Sequence, residues 1–120
     1  VKPFRRKRRP GNRPMKRDER QRMEGVKSQC IPCLMRGYRY EGVCAEGNHI
    51  KRGNLRVGHK ATYGLCIWHH RKQLMVEGWS VADHRRELGP SLMDGSKTFH
   101  AAFGSDDELL RQQNELLGAA

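Results

Sequence analysis

The chain has 120 residues, 36% of them hydrophobic, with two Trp, three Tyr and three Phe. That is enough for one small domain with a thin core, the size class in which folds usually need a staple. No apolar run approaches the ~20 residues that cross a bilayer, and no signal-peptide pattern is visible. A reducing cytoplasm is therefore the expected compartment, where clustered cysteines read as metal ligands rather than disulfides. The formal net charge of +11 is lopsided: residues 1–27 hold 12 Lys and Arg against Asp18, Glu19 and Glu24. The rest of the chain is nearly balanced, which places most of the charge in one arm.

Residues 1–27 have almost no apolar periodicity, and residues 3, 10 and 14 are prolines. They read as a disordered basic arm that binds a phosphate backbone through counterion release, without reading sequence. A solubilising tail, or a localisation signal in a eukaryote, is the blander reading. Residues 28–120 read as one α+β domain with a C-terminal helical extension. Short apolar groups alternating with Gly and Asn predict a strand near 40–45 or slightly beyond, a loop over 51–57 and a second strand over 60–65. A helix is predicted over 67–76, ending at Gly78, with Leu74 on its buried side.

Two further helices are signalled by their starts. Ser80-x-x-Asp83 resembles a capping box before a helix that stops at Gly89-Pro90, and Ser105-x-x-Glu108 is a full box. Leu109, Leu110, Leu116 and Leu117 then share a stripe. Packing on the domain is the commoner use of such a stripe; recruiting a partner is the alternative.

Cys66, His69 and His70 stand within five positions of one another. Positions three apart on a helix share a face, whereas neighbours diverge by ~100°. Cys66 and His69 can thus serve one ion while His70 points to another place. Cys30-x-x-Cys33 supplies the pair that matches Cys66-x-x-His69, a Cys3His set suited to a closed tetrahedral Zn²⁺ site. The rival reading is a redox dithiol at Cys30 and Cys33, but no thioredoxin-like βαβ pattern surrounds it. Cys44 is left over, either as a small buried residue or as a substitute ligand. His49, at the end of the first strand, and His70 remain for chemistry: a neutral imidazole takes a proton from water, and a divalent ion offsets charge developing on phosphate.

The order C-x-x-C, NHI, C-x-x-HH resembles the HNH endonuclease pattern, whose ββα-metal fold joins a hairpin to a helix. GHKATYGLCIWHHR with GPSLMDGSKTFHAAFGSDDELL is similar to the bacteriophage recombination-enhancement (Ref) nucleases, over roughly residues 28–117 and more loosely the arm. That resemblance implies His49 as the general base and His70 as a ligand of a catalytic divalent ion such as Mg²⁺. His59 would contact phosphate or orient water, and Glu46 is a weaker supporting candidate. Where many HNH proteins carry Asp or His before the base, this chain has Asn48, a carbonyl ligand without charge. His84 and His100 read as structural or exposed. The function implied is cleavage of single-stranded or displaced DNA alongside a RecA filament. The rivals are a noncatalytic zinc-held nucleic-acid binder and an adaptor that recruits a recombination partner through its last helix.

Overall fold

The computed structural model describes residues 14–39, 42 and 44–118. Its centre is a pair of antiparallel strands, β1 (Glu46–His49) and β4 (Thr62–Leu65), in the register Glu46↔Leu65, Gly47↔Gly64, Asn48↔Tyr63, His49↔Thr62. The loop expected between them is a second small hairpin, β2 (Lys51–Arg52) paired with β3 (Leu55–Arg56). Its two-residue turn has Gly53 first, at φ +65°, a conformation glycine adopts without steric penalty. The predicted first strand thus begins later than its nominal range, and the second is shorter by two residues.

Glycine lets helices close on this sheet. A Cβ on Gly64 would collide with the carbonyl oxygens of Val26 and Gln29, and one on Gly47 with the Met23 sulfur. Those neighbours belong to or follow α1 (Arg17–Val26), which corrects the expectation of disorder through residue 27. Its buried stripe is Glu19, Met23 and Val26, an i, i+4, i+7 pattern hidden among charges. Arg22 fastens it, donating to the Thr62 carbonyl at 2.8 Å and to Asn114 Oδ1 at 2.7 Å. Residues 1–13 of the expected arm lie outside the described residues.

On the other side, Ile31, Ile50, Tyr63, Leu65, Phe99, Phe103 and Leu109 form one apolar cluster. It draws on α2 (Ile31–Met35), α5 (Ser96–Phe103) and α6 (Asp106–Leu117) as well as the sheet. Of the stripe expected on α6, Leu109 is buried but Leu116 is 41% exposed; the second fully buried position is Gln113, which accepts from the Gly64 amide at 2.8 Å. Ser105 forms the serine half of its expected box, accepting from Glu108 N at 3.2 Å. Ahead of α4 (Val81–Leu88), Ser80 and Asp83 form the whole reciprocal box.

The helix after β4 is the largest departure. α3 covers only Ile67–Arg71 and stops at Lys72, whose φ of 58° is left-handed. Gln73 N returns to Ile67 O and Lys72 N to Trp68 O, closing the end. The amides of Met75 and Val76 instead donate to His84 Nε2 at 3.0 and 3.1 Å, while His84 Nδ1 donates to Ser80 O at 2.8 Å. A buried histidine therefore takes the amides of two of the five further residues the sequence assigned to the helix, and Leu74 ends up 53% exposed. No helix among the described residues is long and apolar enough to cross a membrane.

Candidate metal centre and adjoining histidines

Cys30, Cys33, Cys66 and His69 gather as a buried group whose ligand atoms all lie within 4.8 Å of one another. Cys30 is the residue just before α2 and Cys66 the residue just before α3, so the two short helices start at a common point. Cys33 Sγ lies 3.7 Å from Cys66 Sγ, and His69 Nδ1 lies 3.3, 3.5 and 3.2 Å from the sulfurs of Cys30, Cys33 and Cys66. A tetrahedron built on Zn–S of ~2.3 Å and Zn–N of ~2.0–2.1 Å has edges of about 3.8 and about 3.6 Å. The donor set therefore fits a tetrahedral dication such as zinc.

Its surroundings support that fit. His69 Nε2 donates to the Leu88 carbonyl at 2.6 Å, which leaves Nδ1 with its lone pair toward the sulfurs. Ser91 Oγ donates to His69 O at 3.2 Å, and the Phe103 ring stands edge-on to the imidazole. Burial pushes the Cys30 thiol well up, while hydrogen bonds from Cys30 and Cys33 pull Cys66 down. Three buried thiols cannot all ionise unaided, and a dication removes that obstacle. Cys44 stands apart, its thiol donating to Ser28 O at 2.9 Å, so it is not a substitute ligand in this arrangement.

The remaining candidates divide into two contacts. His49 Nε2 lies 3.3 Å from Nδ1 of the buried His59. His49 also donates to the Gly47 carbonyl, and burial, with Arg56 and His59 nearby, lowers its pKa to about 4. It is therefore neutral at physiological pH. On α3, one position past His69, His70 Nδ1 lies 3.0 Å from Glu46 Oε1, and Arg71 holds Glu46 Oε2 at 2.7 Å. Hydrogen bonds from His70 and Arg71 outweigh burial and keep the Glu46 carboxyl below its usual range. Strand alternation puts Glu46 and Asn48 on one face of β1 and His49 on the other. Among the described residues, the Cys3His set is the one place where three or more His, Cys, Asp or Glu ligand atoms converge.

Asn48 engages the Tyr63 hydroxyl opposite it, and that hydroxyl donates to Asp106 Oδ1 at 2.6 Å. A cleft of ≈ 350 Å³ opens here, lined by Asn48, His49, Lys51, Tyr63, His100 and Asp106 among others. His100, read as structural or exposed, is half-buried at this cleft with its Nδ1 donating to Gly104 O at 2.8 Å. Glu46, the weaker supporting candidate, shares a strand face with Asn48, and their i, i+2 spacing is the signal for that in the sequence. Tyr63, Asp106 and His100 had none, because they reach the cleft from distant segments.

Comparison with curated proteins gives no match. Residues 16–118 match the family model described as recombination enhancement, RecA-dependent nuclease. The match starts where α1 is capped, ends with α6, and takes in both metal-ligand pairs and the Leu88–Phe103 stretch that encloses them. This chain belongs to the recombination-enhancement, RecA-dependent nuclease family.

Proposed function

We propose that the protein is an HNH-type endodeoxyribonuclease that hydrolyses phosphodiesters in single-stranded or displaced DNA, with a RecA filament as its working context. The observation that carries this reading is the route of the chain. The β1–β4 hairpin runs straight into α3, whose first turn sends His69 to the sulfurs and His70 to Glu46 on the strand that carries His49.

In this reading Cys30, Cys33, Cys66 and His69 hold a structural zinc. His70 and Asn48, with Glu46, would hold the catalytic Mg²⁺ or another divalent cation. His70 Nδ1 and Glu46 Oε1 lie 3.0 Å apart, so both side chains could turn to one ion between them. Such an ion supplies charge that stabilises the phosphate as negative charge develops on it. His49, neutral near pH 7, takes a proton from the attacking water, and His59 fixes its ring. The water oxygen bonds to phosphorus, the bond to one ester oxygen breaks, and that oxygen takes a proton from solvent water. The basic segment at residues 1–27 adds sequence-independent grip on the strand.

The test is cleavage of labelled single-stranded and D-loop DNA with Mg²⁺, with and without RecA, for the parent and His49→Ala, both checked for zinc content and fold. Loss of cleavage in the variant is expected. Equal background cutting by both, with DNA binding intact, would overturn the catalytic role. A second reading, a noncatalytic zinc-held DNA binder, draws on the uncharged Asn48 and its engagement with Tyr63; binding without cleavage in any divalent ion would favour it.

A further inference from the structure

We propose that the β2–β3 hairpin is a phosphate-gripping finger that leads a DNA strand toward His49. Every residue from Lys51 to Val57 is exposed, yet the finger has a firm root. Ile50 is buried, its amide donates to Ala61 O at 2.9 Å, and its carbonyl accepts from Val57 N at 2.9 Å. The ribbon therefore projects from the sheet on an anchored stem, with His49 before it and His59 after it touching at 3.3 Å.

Two of the charges on this ribbon, Lys51 and Arg56, have no internal explanation among the described residues. Lys51 and Arg56 are direct cross-strand partners, and like charges placed so destabilise a hairpin. Neither makes an ion pair among the described residues; by contrast, Lys60 holds Asp18 at 2.9 Å and Arg52 lies 4.0 Å from Asp107. A polyanion threaded past the ribbon turns the repulsion between Lys51 and Arg56 into attraction for two phosphates. Lys51 also lines the cleft that holds Asn48 and His49, and Arg56 is near enough to His49 for its charge to be felt there. A phosphate held by this pair is thus at the mouth of the candidate site. The ribbon and the arm divide the work: the arm raises affinity anywhere along the strand, and the ribbon fixes its path. The proposal rests on the nuclease reading only for what happens after binding.

The experiment measures affinity of the full chain for a short labelled oligothymidylate over a range of salt, without added magnesium. Each phosphate neutralised on a single strand contributes about 0.7 to the slope of log affinity against log salt. Lys51→Gln with Arg56→Gln should therefore flatten the slope by about 1.4. Lys51→Arg with Arg56→Lys should keep the parental slope, which separates charge from folding. Removing two exposed charges elsewhere, Arg86→Gln with Arg111→Gln, should leave it unchanged. An unchanged slope in the glutamine pair, or equal flattening in the Arg86 and Arg111 pair, would overturn the assignment. A parent that never cuts DNA but shows the selective flattening would sink the nuclease reading and leave the finger standing.

Discussion

His69 and Leu88 are joined by a 2.6 Å hydrogen bond from Nε2 to the carbonyl that ends α4, and this bond points the other ring nitrogen at three cysteines. The Cys3His group is therefore built into the core: Cys30, Cys33, Cys66, Trp68 and Leu88 belong to one buried cluster. Structural zinc in finger peptides binds with an apparent free energy of about 10–16 kcal/mol, comparable to the whole stability of a small domain. Stripping the metal with a chelator should therefore unfold the domain. Circular dichroism with and without chelator, beside zinc analysis, checks this; an unchanged melting curve after the metal is gone would show the cluster to be self-sufficient.

Asp94 gives a pH prediction. Its carboxylate accepts from Arg85 at 2.9 Å and from the Ser91 amide at 3.0 Å, and pairs with Lys72 at 2.7 Å. Arg85 first, then Lys72 and Ser91, hold its carboxyl far below the usual range despite burial. A depressed carboxyl stabilises the fold above the unfolded value of about 3.8 and loses that contribution as pH falls below it. Asp94→Asn should cost about 1–2 kcal/mol near neutral pH, with the gap to the parent closing as both are acidified. Urea melts at several pH values read this directly; a gap independent of pH would assign the loss to packing.

Gly64 and Gly58 should behave in opposite ways. At Gly64 an added methyl meets two backbone carbonyls, which cannot rotate aside, so Gly64→Ala should cost about 3 kcal/mol or more. At Gly58 nothing stands within 4 Å, so Gly58→Ala should be neutral or stabilise by up to about 1 kcal/mol. Thermal melts of the two variants make the comparison, and a tolerant Gly64 would mean that α1 is not seated on the sheet as described.

The same residues explain what the sequence revealed. Ligand spacing was legible because Cys66 and His69 obey helical geometry within one turn, and the Ser80 box because it is local. α1 was hidden because its buried stripe is one methionine, one valine and a glutamate whose carboxylate caps the helix through the Lys16 amide. The early end of α3 was hidden because the competing acceptor, His84, is eight or nine residues away in sequence. α5 carries its apolar residues as Phe99 and Phe103, an i, i+4 pair that reads as a motif before it reads as a helix. At the site, His49 and His70 were visible as types, but their partners depend on tertiary contacts. The GPSL…FHAAFG stretch has a packing role: Ser91, Phe99 and Phe103 lie against His69.

Glu46 and His49 sit three residues apart on β1, and kinetics can separate the tasks proposed for them. If Glu46 and His70 hold the divalent ion, Glu46→Gln should raise the Mg²⁺ concentration needed for half-maximal cleavage while zinc content stays at the parental value. The amide keeps the size of the carboxylate and one oxygen donor but loses the charge that favours a hard cation. His49→Ala should instead lower the rate at saturating Mg²⁺ by about 10²–10⁴, the usual loss when a general base is removed, without moving the Mg²⁺ midpoint. Magnesium titrations of single-turnover cleavage for the parent and both variants give the two quantities separately. Parental Mg²⁺ dependence in Glu46→Gln would restrict that carboxylate to anchoring His70 and Arg71, and a shifted midpoint in His49→Ala would make His49 a ligand instead of the base.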